Sequence, residues 1–303
     1  MRQLVLIHGR AQEQKDAVAL KGDWIAALDE GLRQNGLTLP IDDRQIRFPY
    51  YGQTLFDLVA GVPADQIAEV VVRGGSSTAP PQEIVAVLEE ILETRGVTHD
   101  QVLAEAEAAA AAAGEPGTVI KRGPLNWPWV RGIIAAIDRH VPGASGNGIA
   151  LATRDVFQYL KNPGVRDTIE VGVRAAMTPG VESVVVAHSL GTVVGYNLLR
   201  REGKALGWKV PAFITLGSPL GVTAIRRALT PLQHPSCVSK WRNARDKDDV
   251  VALYSLDATH FGIDPAIENS SHVVNKTSNQ HGISGYLSDA RVAKWIHDAL
   301  TAA

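Results

Sequence analysis

In the second half of the chain stands the segment Ser183-Val184-Val185-Val186-Ala187-His188-Ser189-Leu190-Gly191-Thr192-Val193-Val194. Its first five residues form a largely apolar run that is typical of a strand buried on both faces, as in a parallel sheet. The residues after Gly191 continue as an apolar helix. We therefore predict a strand, a tight turn and a helix, with Ser189 at the tip of the turn.

The neighbours of Ser189 suit such a turn. A turn this tight forces a strained backbone on its central residue, and the residues two positions before and after it crowd each other, so both should be small. They are Ala187 and Gly191. The serine hydroxyl would then lie at the positive end of the following helix, and the backbone N–H of Leu190 would point to where an oxyanion forms. The segment thus predicts that Ser189 is a nucleophile.

The flanking sequence alternates between strand and helix patterns. Further apolar runs at 4–7, 45–50, 212–216 and 238–243 predict strands, and helical patterns occupy 15–34, the stretch after 149 and 288–299. This alternation predicts an α/β fold with a mostly parallel central sheet flanked by helices. Residues 52–148 interrupt it with helical signals and one candidate strand at 69–72. We therefore predict a core of residues 1–51 and 149–303 and a largely helical cap insertion at 52–148.

With these features the sequence resembles the α/β-hydrolase superfamily, in particular its lipase-like and esterase-like members. The turn from Ala187 to Gly191 resembles their nucleophile elbow, with alanine in place of the commoner first glycine, and the strand ending in His8-Gly9 resembles the one that leads into their oxyanion loop. The resemblance implies that the backbone N–H of Arg10 or Gly9 is a second oxyanion donor, beside that of Leu190. It also implies a triad in the chain order Ser, Asp or Glu, then His.

The acid of such a triad has several candidates after the strand that ends near Asn243. Lipase-like relatives often read Asn-x-x-Asp-x-x-Asp-x-Val-Ala here, with the second aspartate catalytic, and this chain carries that pattern at Asn243, Asp246, Asp249, Val251 and Ala252. We therefore favour Asp249 and keep Asp246 and Asp248 as alternatives. Asp257 is a more distant candidate.

The base should lie in a loop before the last helix, where His281 stands between Gln280 and Gly282. His272 precedes an apolar pair and has the pattern of a strand residue, and His8 fits a structural role in the oxyanion loop. A neutral imidazole, with an ordinary pKa of about 6.5, can accept the serine proton and return it to the leaving group. A buried carboxylate would hold its tautomer.

Three further side chains are candidates for a substrate pocket. His188, beside the serine, would either line the pocket or fill the turn. Trp127 and Trp129 belong to an apolar, aromatic segment, which would either form a lid over an acyl-binding cleft or pack the insertion against the core.

Composition excludes several classes of function. The chain has 303 residues and a formal net charge of −2, which argues against a nucleic-acid partner. No His/Cys cluster has zinc spacing, so we expect no metal and no cofactor. The single cysteine rules out an internal disulfide. With no apolar run of about 20 residues and no export signal, we expect a cytoplasmic protein without a transmembrane segment.

Together these features predict a carboxylesterase or lipase-like serine hydrolase that acts on a small-molecule or lipid ester. An acyl transferase or thioesterase would use the same triad, and a non-catalytic binding protein could keep the same turn. The sequence leaves the acyl chain, the head group and the oligomeric state open.

Overall fold

The computed structural model describes residues 2–10, 15–52, 82–114 and 127–302. Its strands are β1 (Gln3–Ile7), β2 (Ile46–Arg47), β3 (Ser183–His188), β4 (Val210–Leu216), β5 (Val238–Asp246) and β6 (Glu268–Val273). Its α-helices are α1 (Ala17–Arg33), α2 (Gln82–Thr94), α3 (His99–Ala112), α4 (Trp127–His140), α5 (Gly146–Lys161), α6 (Pro163–Ala176), α7 (Leu190–Glu202), α8 (Thr223–Ala228), α9 (Ala258–Phe261), α10 (Ile283–Leu287) and α11 (Ala290–Thr301). Short 3₁₀ turns lie at Asp43–Gln45 and Pro219–Gly221.

The chain forms two compact units, which comprise Met1–Val59 with Gln158–Ala303, and Ala60–Phe157. The division that we predicted, at 51/52 and 148/149, lies eight and nine residues before these boundaries. The described part of the second unit is helical, and in it α4 packs against α2 and α3. Residues 53–81, which include the candidate strand at 69–72, and residues 115–126 lie outside the described part of the chain.

The first unit is built on a six-stranded sheet in the order β2-β1-β3-β4-β5-β6. Each neighbouring pair of strands is parallel. The predicted α/β class with a parallel sheet flanked by helices is therefore confirmed. Because every strand runs the same way, the carboxyl ends of β1, β3, β4, β5 and β6 lie along one edge, where α/β proteins place their functional loops.

Both faces of the sheet are covered, which explains why its central strands are apolar throughout. Alternate residues such as Leu4 and Val184 face a core that includes Trp24 and Leu28 of α1 and residues of α10 and α11. On the opposite face α7 lies close to the sheet. A side chain at Gly195 would begin 3.2 Å from the ring of Phe213.

Two strands differ from the sequence pattern. The predicted strand at 45–50 is confined to Ile46–Arg47, because Pro49 has no N–H to donate to a ladder. For β6 the only prediction was that His272 is a strand residue, and His272 does lie in this strand. β6 is an edge strand whose sequence Glu-Asn-Ser-Ser-His-Val is mostly polar, so the apolar signal of a buried strand is absent there.

Candidate active site

Ser189 occupies a sharp turn between β3 and α7. Its φ is +54° and its ψ −126°, a backbone conformation that residues other than glycine rarely adopt. Its N–H donates to the carbonyl of Leu216 at 3.1 Å, which extends the β3–β4 ladder by one residue. Its own carbonyl accepts the Thr192 hydroxyl at 2.7 Å. The strand pairing and the first turn of α7 thus hold the strained serine from both sides.

Two glycines allow the turn to approach the end of β1. A Cβ on Gly191 would lie 2.4 Å from the carbonyl oxygen of Ile7 and 2.6 Å from that of His8. We predicted a small residue at 191 because of crowding with Ala187, but the nearest obstacle is the backbone of β1. A Cβ on Gly9 would lie 2.9 Å from the Cβ of Ser189. The predicted oxyanion residue Gly9 is therefore in close contact with the serine.

The structure brings Ser189, His281 and Asp249 together in one hydrogen-bonded line. The His281 Nε2 lies 2.9 Å from Ser189 Oγ, and its Nδ1 lies 2.7 Å from Asp249 Oδ2. Because the carboxylate can only accept, Nδ1 carries the ring proton and Nε2 is left to accept the serine proton. Ser189 and Asp249 are buried, whereas the imidazole between them retains partial solvent contact.

The Asp249 carboxylate accepts hydrogen bonds at both oxygens. Its Oδ1 accepts the backbone N–H groups of Val251 (2.8 Å) and Ala252 (3.2 Å). Its Oδ2 accepts the hydroxyl of Tyr286 at 2.6 Å in addition to His281 Nδ1. Burial alone would raise the pKa of Asp249, but the neighbouring His281 and these donors outweigh it, so the net pKa lies below its ordinary value. The carboxylate is therefore kept charged without contact with solvent.

The two alternative acids have other positions. The Asp246 side chain is buried and accepts the backbone N–H groups of Asp248 and Asn275, at 2.8 Å and 2.5 Å. It joins the loop after β5 to the loop after β6. The Asp248 residue is exposed on the same loop. Asp257 caps α9 by accepting the N–H groups of Thr259 and His260.

A local network fixes the loop that carries His281. The Asn275 amide donates to the carbonyl of Gly282 at 2.8 Å, and its oxygen accepts the Thr277 hydroxyl at 2.6 Å. The N–H of His281 donates to Asn279 Oδ1 at 3.1 Å. Gln280 has a φ of +53°, which turns the chain immediately before the histidine.

His188 connects the turn at Ser189 with this loop. Its Nε2 donates to the carbonyl of His281 at 2.8 Å, and the two imidazole rings lie 4.7 Å apart. Burial, followed by the proximity of His281, lowers the pKa of His188 to about 3, so this ring is neutral at ordinary pH. The structure thus shows His188 holding the loop of the candidate base, and its predicted role in a substrate pocket stays a prediction.

His8 shapes the loop that contains Gly9 and Arg10. Its Nδ1 donates to the carbonyl of Gly9 at 2.6 Å, and its Nε2 accepts the N–H of Tyr51 at 3.0 Å. The Tyr51 hydroxyl donates to the carbonyl of His8. Burial lowers the pKa of His8 to about 4, which keeps this tautomer neutral. Because the peptide group between Gly9 and Arg10 is planar and trans, the Arg10 N–H points away from the carbonyl that His8 holds.

Two residues at the site were not predicted. Tyr286, on α10, donates to Asp249 and is fully buried. Gly217, which follows β4 with a φ of +56°, lies against the candidate acid and base. A Cβ there would be 3.2 Å from both Asp249 Oδ2 and His281 Cε1. The signal for Gly217 was the glycine at the end of a strand. Tyr286 follows the candidate base by five positions, but no local pattern connects it with Asp249.

The two tryptophans of the predicted lid lie on α4 in the second unit. Trp129 is buried, donates from its indole to Glu89 Oε1 at 3.3 Å, and packs 4.6 Å from the ring of His99. Trp127 begins the helix and is partly buried. A role for either residue in a substrate pocket stays a prediction.

No family model, curated protein or solved structure matches this chain. Among the described residues, no three or more His, Cys, Asp or Glu side chains are grouped so that they could bind a metal ion. In the same part of the chain, no helix combines the length and the apolar character that a membrane span requires.

Proposed function

We propose that this chain is a serine hydrolase of the α/β-hydrolase fold that cleaves carboxylic esters through an acyl-enzyme. The observation that carries the proposal is the line from Asp249 through His281 to Ser189, with distances of 2.7 Å and 2.9 Å. Its chain order, Ser, Asp, His, is the order that the α/β-hydrolase resemblance implies. The parallel sheet supports it too, because the three side chains follow β3, β5 and β6 at one edge.

In the proposed reaction His281 Nε2 removes the Ser189 proton as Oγ bonds to the carbonyl carbon of the ester. The oxygen of that carbonyl becomes an oxyanion, which the N–H groups of Leu190 and of Gly9 or Arg10 would bind. The imidazolium, stabilised by Asp249, then protonates the leaving alcohol as the carbon–oxygen bond breaks. Water, deprotonated by the same imidazole, releases the acid and restores the serine.

The direct test is hydrolysis of p-nitrophenyl acyl esters by the Ser189→Ala variant. We expect a loss of turnover of about 10³-fold or more, because the nucleophile is removed, while the fold is retained. Ser183→Ala is the matched control, since Ser183 is a buried serine at the start of the same strand. Unchanged activity in Ser189→Ala, or equal loss in both variants, would contradict the proposal.

The same assay separates the related functions. An acyl transferase would transfer the acyl group to an added alcohol or amine in preference to water, and a thioesterase would prefer thioesters over oxygen esters of the same acid. A lipase would show a steep rise in rate when a monomeric ester is replaced by aggregated lipid. A binding protein would turn over none of these substrates.

A further inference from the structure

The hydroxyl of Tyr286 lies between Asp246, the last residue of β5, and Asp249 in the loop that follows. It lies 3.1 Å from the backbone nitrogen of Asp246 and 2.6 Å from Asp249 Oδ2. A backbone N–H can only donate, so the phenol oxygen is the acceptor toward Asp246. The phenol has one proton of its own, and the carboxylate can only accept. The proton of Tyr286 must therefore be directed at Asp249.

Tyr286 and His281 share a single oxygen of that carboxylate. The backbone N–H groups of Val251 and Ala252 donate to Oδ1. The Tyr286 phenol and the His281 imidazole both donate to Oδ2. A second donor on the same oxygen takes up part of its negative charge. It therefore weakens the attraction between that oxygen and a protonated imidazole.

We propose that Tyr286 is a positioning residue of the triad, whose hydroxyl fixes Asp249 Oδ2 toward His281. Because this hydroxyl donates to the same oxygen as His281, it also sets the lowest pH at which His281 can act as a base. This inference rests on the proposed function for its kinetic consequence. It adds a fourth side chain, which touches no substrate and acts through Asp249.

The surroundings allow the phenol to keep this role over a wide range of pH. Burial, and then the negative charge of Asp249, raises the pKa of Tyr286 well above its ordinary value, so the hydroxyl stays a donor. His188, which faces the same imidazole from β3, is neutral because its pKa is lowered to about 3. Among the described residues, the titratable groups around this cluster are His8 after β1, His188 on β3, Asp246 and Asp249 at and after β5, His281 before α10, and Tyr286 on α10. Lys247 and Asp248, on the loop after β5, are exposed.

The test is Tyr286→Phe, which removes the hydroxyl and keeps the ring. Without the phenol donor, Oδ2 is more negative and favours the protonated imidazole. We therefore expect the acidic limb of the kcat/KM profile to move to higher pH by about half a unit to one unit. The low-field NMR resonance of the His281 Nδ1–H should move further downfield, because its acceptor becomes stronger.

The chain offers a matched control in Tyr159→Phe. Tyr159 is also fully buried and donates to a buried carboxylate, Glu170 Oε1 at 2.7 Å, but that carboxylate is paired with Arg174 and Arg201 and is not part of the triad. This variant should lose a comparable hydrogen bond and leave both the pH profile and the low-field resonance unchanged.

If Tyr286→Phe changes neither the acidic limb of the kcat/KM profile nor the resonance of the His281 Nδ1–H, the inference is overturned and Tyr286 is only a packing residue. If the wild-type protein hydrolyses no ester, the proposed function fails, while the NMR resonance still decides whether Tyr286 modulates the Asp249–His281 bond. If Tyr286→Phe does not fold, 3-fluorotyrosine at position 286 replaces it. Its more acidic phenol donates more strongly, so the acidic limb should move to lower pH and the His281 Nδ1–H resonance should move upfield. No change in either would overturn the inference.

Discussion

The turn after β3 and the loops after β5 and β6 hold their candidate catalytic residues in different ways. Ser189 is fixed through the backbone: its N–H pairs with the carbonyl of Leu216 on the neighbouring strand, and its carbonyl accepts the Thr192 hydroxyl three positions away. Asp249 and His281 depend on distant residues, since Tyr286 lies 37 positions beyond Asp249 and Asn275 lies 29 beyond Asp246. The candidate nucleophile is thus set by strand pairing and backbone geometry, whereas the orientation of the candidate acid and base depends on a network of side-chain hydrogen bonds.

The largest effect should separate the two aspartates of the loop after β5. Asp249→Asn replaces an acceptor of His281 Nδ1–H with a group that can also donate, which favours the wrong imidazole tautomer, and turnover should fall by about 10⁴-fold. Asp246→Asn leaves that bond in place. The amide keeps one acceptor oxygen but places an NH2 group opposite one of the two backbone N–H groups that Asp246 accepts, so its main effect should be a stability loss of about 2 kcal/mol.

Steady-state kinetics and urea unfolding of both variants would measure this difference. Equal losses of turnover in the two variants, with both proteins folded, would mean that the acid has been assigned to the wrong aspartate.

The next effect concerns the nucleophile turn. Gly191→Ala would place a methyl group within 2.6 Å of two backbone carbonyl oxygens, those of Ile7 and His8, so we expect a loss of about 3 kcal/mol in the free energy of unfolding. The control is Gly22→Ala in α1, where nothing lies within 4 Å of the added methyl. That variant should be stabilised by about 0.5–1 kcal/mol. A Gly191→Ala protein as stable as the wild type would show that the turn does not need this close approach to β1.

The smallest of these effects tests His188, which joins the two regions. Above a pH of about 6.5 the His188 ring is neutral in both the folded and the unfolded chain. Below that pH the ring binds a proton in the unfolded chain but stays neutral in the folded one, where its pKa is about 3. Stability should therefore fall as the pH drops from about 6.5 toward 3. The wild-type protein should lose free energy of unfolding between about pH 7.5 and about pH 4.5, and His188→Gln should make this loss smaller by roughly 2 kcal/mol.

Chemical denaturation at the two pH values measures that loss. His272→Gln serves as the control because His272 is exposed on β6. In this variant the free energy of unfolding should change with pH as it does in the wild type. The same change in His188→Gln would mean that His188 is not the buried group responsible.

The same contrast explains what could be predicted from sequence. The α/β class, the central strands and the position of Ser189 follow from apolar runs and from the order strand, turn, helix, all of which are local. The short β2 could not be anticipated from its apolar pattern, because Pro49 ends the pairing. The edge strand β6 is mostly polar, so its pattern indicated a strand only near His272 and did not give its bounds.

At the site, the spacing of the three aspartates left more than one candidate acid, because each follows β5 in an exposed or turn-like sequence. What distinguishes Asp249 from Asp246 is their partners, His281 and Tyr286 in one case and Asn275 in the other. These partners meet only when β5, β6 and α10 are assembled. The need for glycine at 217 has the same origin, since a side chain there would meet the acid and the base.

Labelling with a fluorophosphonate, followed by peptide mass spectrometry, tests whether Ser189 is a nucleophile activated by His281 and Asp249. We expect one adduct, on the peptide that contains Ser189, in the folded wild-type protein. We expect labelling at least about 10²-fold slower in Asp249→Asn and none in Ser189→Ala. A folded wild-type protein that takes up no label, or takes it up on another serine, would contradict this role of Ser189.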